Sequence, residues 1–318
     1  MPTKSQSRSY RLPNLRIIYL RLLLAVTLSV GCGAFAINAG AIEAKSSGER
    51  FIRVLRSESG KPLALQTAIV TYRSVETSKV SVDLVVAVHI GEESYFQELN
   101  RAFEEYDSLL YELVARTEDV ALALQNQEPN PLSSVQRGLT DALGLRFQLD
   151  MIDYRKRNFV HADLSPEEFG ESMKKRGESA TSMLVRFFAA ALEQQKKSDP
   201  RESLAALSAL LEKDPKQKSL KLKRIMAAQT EDMEGLIKSI NGDDGSTLIT
   251  GRNARALEVL RKRIKQGDKR LAIYYGAAHM DDIEQRLESE FKMKLNRTRW
   301  IDAWNLRESS VSDEGVVK

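Results

Sequence analysis

The stretch Leu84-Val-Val-Ala-Val88, apolar at both alternating positions, closes a strand-like run from Lys79 and constrains the fold more than any other feature. A strand that is apolar on both faces needs cover on both sides, which places it inside a sheet with helices above and below. The residues after it agree. Gly91 leads into Ser94-x-x-Gln97, a spacing that predicts a helix start, and Phe96, Leu99 and Phe103 recur at helical intervals. Asp107 to Val114 then returns to strand character. Strand, helix and strand joined by short connections predict a parallel unit with a right-handed crossover. Upstream, residues 51–56 and 63–72 flank Ser57-Glu-Ser-Gly-Lys-Pro62 and predict an antiparallel hairpin.

The far end of the chain shows the same alternation. A helix is expected over about 252–264, stopped by Gly267, then a strand at Arg270 to Tyr275. A helix over about 280–291, a strand at Thr298 to Trp304 and a polar, frayed tail from Arg307 complete it. The middle reads as helical. Ser165-Pro-Glu-Glu168, Asp199-Pro-Arg-Glu202 and Asp214-Pro-Lys-Gln217 each place a capping residue before proline at the first helical position. Leu184, Phe187, Phe188, Ala191 and Leu192 form one apolar stripe and Leu204, Leu207 and Leu211 another, both expected to face inward. The lysines and arginines of 216–224 read as a solvated helix face, and Asn241-Gly-Asp-Asp-Gly-Ser246 as a turn cluster at a boundary. The expected fold class is therefore α/β. A central mixed sheet is built from the N- and C-terminal parts of one domain, residues 45–318, with a helical insertion at about 131–247. At 318 residues and 42% hydrophobic content the chain is long enough to bury such a core.

Residues 1–44 are expected to act as a signal peptide or an N-terminal membrane anchor. Lys4, Arg8, Arg11, Arg16 and Arg21 precede an uncharged apolar run from Leu22 to Ile42, the layout of an export signal. The run also reaches the roughly 20 residues that span a bilayer, with the positive flank held inside. The body is expected on the exported side, periplasmic or extracellular. Cys32, the single cysteine, lies in this run and invites lipidation as an alternative. The net charge is +4, and the five leader cations account for more than all of it, leaving −1 for residues 43–318. A broad nucleic-acid surface is therefore excluded.

The body has three histidines, His89, His161 and His279. His89 follows the 79–88 strand, Glu112 closes the next one, and His279 follows the 270–275 strand through Gly276-Ala-Ala278. If these strands are parallel neighbours, the three side chains gather at the carboxyl edge, where open α/β sheets bind ligands. Two imidazoles and a carboxylate can hold a divalent metal and activate its water. A plainer reading stands beside this: histidines at strand ends cap carbonyls, and Glu112 pairs with Arg252. His161 and Asp163 share one side of an extended segment, which suits a metal or a proton transfer, or a loop that satisfies its own backbone. Arg252-Asn253, at a helix start, suits a carboxylate, phosphate or carbonyl anchor. No Gly-rich phosphate loop and no G-x-S-x-G elbow occurs.

Val82-Asp-Leu-Val-Val-Ala-Val-His89-Ile-Gly, followed by Tyr106-Asp-Ser-Leu-Leu-Tyr-Glu112-Leu, resembles the opening of the TraB/PrgY/GumN family. Gly251-Arg252-Asn253 and Ile273-Tyr-Tyr-Gly276-Ala-Ala-His279-Met resemble its closing motifs. The family belongs with TIKI proteases, erythromycin esterases and ChaN-like haem-binding lipoproteins. The resemblance spans about 80–304 and rests on the two flanking blocks. It implies a shared α/β fold and a metal-dependent hydrolase, in particular a peptidase acting on a peptide or protein. His89, His279 and Glu112 would be metal ligands, Glu112 alternatively a general base, and Arg252 and Asn253 oxyanion or substrate anchors. The implied ion is manganese, cobalt or zinc. The ChaN-like branch implies the alternative, a non-catalytic module that binds metal, haem or peptide. Val86 stands where the first motif has glycine, and Gly251 where relatives have an acid.

Overall fold

The computed structural model describes residues 50–76, 79–120, 138, 140–179, 181–183, 185–186, 208–209, 211–230, 241–242 and 245–308. Its centre is a seven-stranded mixed sheet. The hairpin of β1 (Ile52–Arg56) and β2 (Pro62–Ser74) forms as the alternation predicts. β2 is long enough to hold three partners. β9 (Met293–Asn305) pairs antiparallel along one edge of it, from Ala64↔Asn305 to Ser74↔Met293. β1 and β3 (Ser81–Ala87) therefore share the other edge, β1 beside the first half and β3 beside Ile69 to Arg73. Beyond β3 the sheet is parallel: β8 (Arg270–Gly276), then β5 (Ser108–Tyr111), then β7 (Phe159–His161). β8, from the far end of the chain, inserts between β3 and β5, so both ends of the body build one sheet.

The alternation of each central strand divides the core into two halves. Val85, Ala272, Tyr274 and Leu109 face α1 (Glu93–Phe103), whose Tyr95, Phe96, Leu99 and Phe103 meet them. Val82, Leu84, Val86, Leu271, Ile273 and Tyr275 face the opposite way. There α5 (Arg252–Lys265) brings Ala256, Leu257 and Leu260, and α6 (Met280–Glu290) brings Met280, Ile283 and Leu287. Each fully buried Leu, Ile or Val is worth roughly 1.5–3 kcal/mol of transfer free energy. This is why Leu84-Val-Val-Ala, buried on both faces, cannot be an edge. Gly91, in the two-residue β4 (Ile90–Gly91), lets α1 come in close: a Cβ there would meet Tyr95 at 2.8 Å.

Between the two ends lie α2 (Gln148–Met151), α3 (Pro166–Lys175) and α4 (Pro215–Gln229). Ser165 and Glu168 close a reciprocal capping box on α3, and Asp214 accepts the Lys216 amide at the start of α4. Several expectations need correction. The insertion is not only helical: it contributes β6 (Arg146–Phe147), which pairs with β4, and β7, which extends the main sheet. Three-residue β7 is too short to show an alternation. Ser94 does not cap α1. The helix starts one residue ahead of it, because the Glu92 amide is bonded to the Ala303 carbonyl and the chain turns there. The strand expected to reach Val114 ends at Tyr111, with Glu112 released from the sheet. Leu211 lies in a turn and is 72% exposed, not packed inward. The leader with Cys32, the Asp199 helix start, the Leu184–Leu192 stripe, Leu204, Leu207 and the tail beyond Glu308 lie outside the described residues. Among those described, no helix is long and apolar enough to cross a membrane.

Candidate functional site

The carboxyl ends of β3, β8 and β5 lie side by side, and each releases a polar side chain there. Glu112 follows the last residue of β5. His89 lies two residues beyond β3, and His279 closes the single turn Ala277–His279 between β8 and α6. Asp163 stands two residues after β7, and Arg252-Asn253 begin α5 after a wide turn at Thr247–Gly251. Ser246 caps that turn through the Ile249 amide and so sets the entry of α5.

Arg252 organises one half of the site. Its side chain is 1% exposed. Nε donates to Asp163 Oδ1 at 2.9 Å and Nη2 to Oδ2 at 2.5 Å, a two-pronged pair with one carboxylate. The same Nη2 lies 2.8 Å from Glu112 Oε1, while Glu112 Oε2 accepts the Gly276 amide at 2.9 Å. Burial acts to raise the Glu112 pKa. It is outweighed by Arg252 first, then His279, the Gly276 amide and His89, which together hold the carboxyl well below its usual range. Glu112 nevertheless keeps 18% of its side-chain surface open to solvent.

Asn253 organises the other half. Its Nδ2 donates to the His279 carbonyl at 3.1 Å and to Asp282 Oδ2 at 2.8 Å. Only Oδ1 is left to meet His279 Nδ1, 2.6 Å away, so Nδ1 carries the proton. Burial lowers the His279 pKa, and of the charges around it Arg252 acts in the same direction while Glu112, Asp163 and Asp282 oppose it. The ring is therefore neutral near pH 7. Its Nε2 lone pair looks towards Glu112 Oε1, 3.7 Å away. Two acceptors face one another across a gap too long for a direct hydrogen bond.

His89 stands on the rim. It is exposed to solvent. Loss of hydration is the main influence lowering its pKa; Glu112 and Gln148 pull it up and Arg252 pushes it down. The Gln148 amide donates to the His89 carbonyl at 2.8 Å, and Gln148 Nε2 to the Tyr154 hydroxyl at 2.8 Å.

Of the residues singled out in the sequence, the structure brings Glu112, Arg252, Asn253 and His279 into direct contact, adds Asp163 through Arg252, and sets His89 within electrostatic reach. His161 does not join them. Its Nε2 lies 2.6 Å from the Leu113 carbonyl and its Nδ1 3.3 Å from Thr117 Oγ1, so it fastens the loop after β5. Asp163 is engaged by Arg252 through both oxygens and is no free metal ligand. Arg252 and Asn253 are buried as positioning groups, and the alternative pairing of Arg252 with Glu112 is the one present. Val86 sends its side chain into the core beneath α5 and α6 and leaves the edge clear. Sequence reasoning passed over Asp282 and Gln148. The His279-x-x-Asp282 spacing at a helix start was a usable signal; Gln148 gave none.

The gap between His279 Nε2 and Glu112 Oε1 tests whether a divalent ion suits the site. Metal–nitrogen and metal–oxygen bonds of about 2.0–2.2 Å span up to about 4.2 Å between two donors, so 3.7 Å fits. The Arg252 guanidinium on the same carboxylate works against a second cation. Among the described residues no group of three or more His, Cys, Asp or Glu side chains is arranged to hold a metal. The fit is to an open seat of two donors with His89 at its rim, not to a closed cage. Two clefts elsewhere, of about 240 Å³ beside Glu92, Lys216 and Lys223 and about 400 Å³ beside Glu168, Lys175 and Arg255, touch none of these residues. The buried, oriented charges mark the carboxyl edge as the candidate, because ionic groups of low exposure held in fixed geometry can act strongly on a reacting bond.

Compared with known protein families, with curated proteins and with solved structures, the chain matches none.

Proposed function

We propose that the chain is an exported or membrane-anchored hydrolase, in particular a metal-dependent peptidase of the TraB/PrgY/GumN kind, working at the carboxyl edge of its sheet. The observation that carries this reading is the neutral His279 presenting its Nε2 lone pair to the Glu112 carboxylate across 3.7 Å. Two fixed acceptors at that spacing attract a divalent ion or the proton of a water molecule. His279 and Glu112 would hold the ion, with His89 at the rim. A bound divalent ion would lower the pKa of water and polarise a carbonyl. The chain's own residues do the rest. Asn253 keeps the His279 tautomer and its direction. Arg252 and the Gly276 amide keep Glu112 ionised, so that it would take a proton from the attacking water and hand it on to the leaving group. Asp163 holds Arg252, and Glu112 keeps 18% of its side-chain surface open to solvent.

The test is cleavage of a peptide library and of simple esters by the purified full chain with manganese, cobalt or zinc. Glu112→Gln and His279→Ala are expected to lower the rate by about 10²-fold or more while the circular dichroism is retained. Turnover that survives both substitutions overturns the reading. A second reading, capture of metal, haem or peptide without turnover, draws on Arg252 and Asn253, which are buried rather than presented to a tetrahedral intermediate. Stoichiometric binding with no product would favour it.

A further inference from the structure

We propose that the outer edge of β9 binds an acidic, extended peptide by strand addition, at a surface separate from the carboxyl-edge site. β9 is 13 residues long and gives one edge to β2 from Met293 to Asn305, with register shifts at Ala303 and Asn296. Its other edge is covered only near the C-terminal end, where the Ala303 carbonyl accepts the Glu92 amide and the Trp304 indole donates to the Ile90 carbonyl. From Met293 to Ile301 that edge has no strand partner among the described residues. Lys294 to Arg299 are all exposed, so residues on both faces of the strand are open there and neither helical layer blocks an approach. Outward backbone amides and carbonyls on an open edge are the half-made ladder that an added strand completes.

The side chains decide what that strand is. Lys294, Arg297 and Arg299 give the stretch three cations and no acid, with Leu295 47% exposed between them. Arg299 has a weak surface partner in Glu98 at 3.4 Å, and Arg297 reaches Thr71 at 3.4 Å. A second copy of β9 would bring cations against cations, which disfavours self-pairing. A strand with acids on alternate positions and small apolar residues between them meets the cations and Leu295 together. Trp300, half-buried beneath the Arg53 guanidinium at 4.0 Å, adjoins the stretch and reports on it.

The experiment uses the full chain and a fluorescein-labelled decapeptide alternating Glu with Val. A Lys–Val peptide, and the Glu–Val peptide N-methylated at alternate residues, serve as controls. Binding of the acidic peptide with a change in tryptophan emission is expected. Its Kd should weaken roughly tenfold or more in the Arg297→Glu/Arg299→Glu variant, and to a similar degree on N-methylation, which leaves the protein untouched. No binding overturns the proposal. So does equal affinity for the N-methylated peptide, which would mean charge attraction without a ladder. Preference for anionic phospholipid vesicles over the peptide, or a wild-type dimer dissolved by the double charge reversal, also overturns it. None of these outcomes depends on Glu112 or His279.

Discussion

Two carboxylates of low exposure, at opposite ends of the same sheet, behave in opposite ways. Glu112 sits at the carboxyl end and is held ionised; Glu284 sits near the amino end of β3, under Tyr72, and is pushed towards its protonated form. Both lose hydration on folding. The difference is the cation. Arg252 is buried with Glu112 and fixed from behind by Asp163. Arg50, the partner of Glu284 at 2.5 Å, keeps 48% of its side chain in water, where its field is screened. The Tyr72 hydroxyl donates to Glu284 and Arg50 lowers its pKa, but burial outweighs them, with Glu288 and Asp281 adding to the rise. A carboxylate kept charged at low exposure thus needs a cation desolvated along with it. That is the more specialised arrangement of the two, and it lies at the edge where ligands bind open α/β sheets.

The largest effect is expected from removing the buried cation. Arg252→Met strands Glu112 and Asp163 and should cost about 3–5 kcal/mol in urea denaturation. An unchanged midpoint would mean that the pair is not buried as described. Next comes Glu112→Gln, which leaves Arg252 one ionised partner instead of two and should cost about 1.5–3 kcal/mol. Asn253→Ala removes the acceptor of His279 Nδ1 and should cost about 1–3 kcal/mol, with a change in the tautomer seen by nitrogen NMR of the ring. At the other end, Glu284→Gln keeps an acceptor for Tyr72 and loses only a half-exposed ion pair. It should change stability by no more than about 1 kcal/mol at pH 7.

Acid titration sharpens the contrast because the two carboxylates have opposite signs. Glu112 is depressed when folded, so its contribution is in place above about pH 4.3 and is lost as the pH falls through its folded value. His89 and His279 are also depressed, so their part is complete above about pH 6.5 and is lost on acidification. Glu284 is raised, so its contribution is present below about pH 4.3 and is lost as the pH rises through its folded value. The Glu112→Gln variant should therefore differ most from wild type near neutrality and converge with it in acid. The Glu284→Gln variant should gain on wild type as the pH rises. Parallel curves for both variants would break the comparison.

Much of this could be read in the chain before any coordinates. Leu84-Val-Val-Ala-Val88 demanded a central strand and received one; the Ser165 and Asp214 starts were visible because caps and N-terminal prolines act within four residues. The gathering of His89, Glu112 and His279 at one edge was expected from strands read as parallel neighbours, and β8 does lie between β3 and β5. The end of β5 at Tyr111, the start of α1 at Glu93 and the β7 strand were not visible. Each depends on a partner far along the chain: Arg252 and Gly276 for Glu112, Ala303 for the Glu92 amide, β5 for Phe159 to His161.

The sequence by itself determined the layering, because hydrophobic periodicity and capping are local and roughly additive signals. Tertiary structure alone decided the chemistry of the edge. Asp163 became the second anchor of Arg252, His161 was drawn off to the Leu113 carbonyl, and His279 was turned by Asn253 to face Glu112. Those outcomes depend on which charges lose water together. That is settled by distances of a few ångströms between residues as much as 167 positions apart, such as His279 and Glu112.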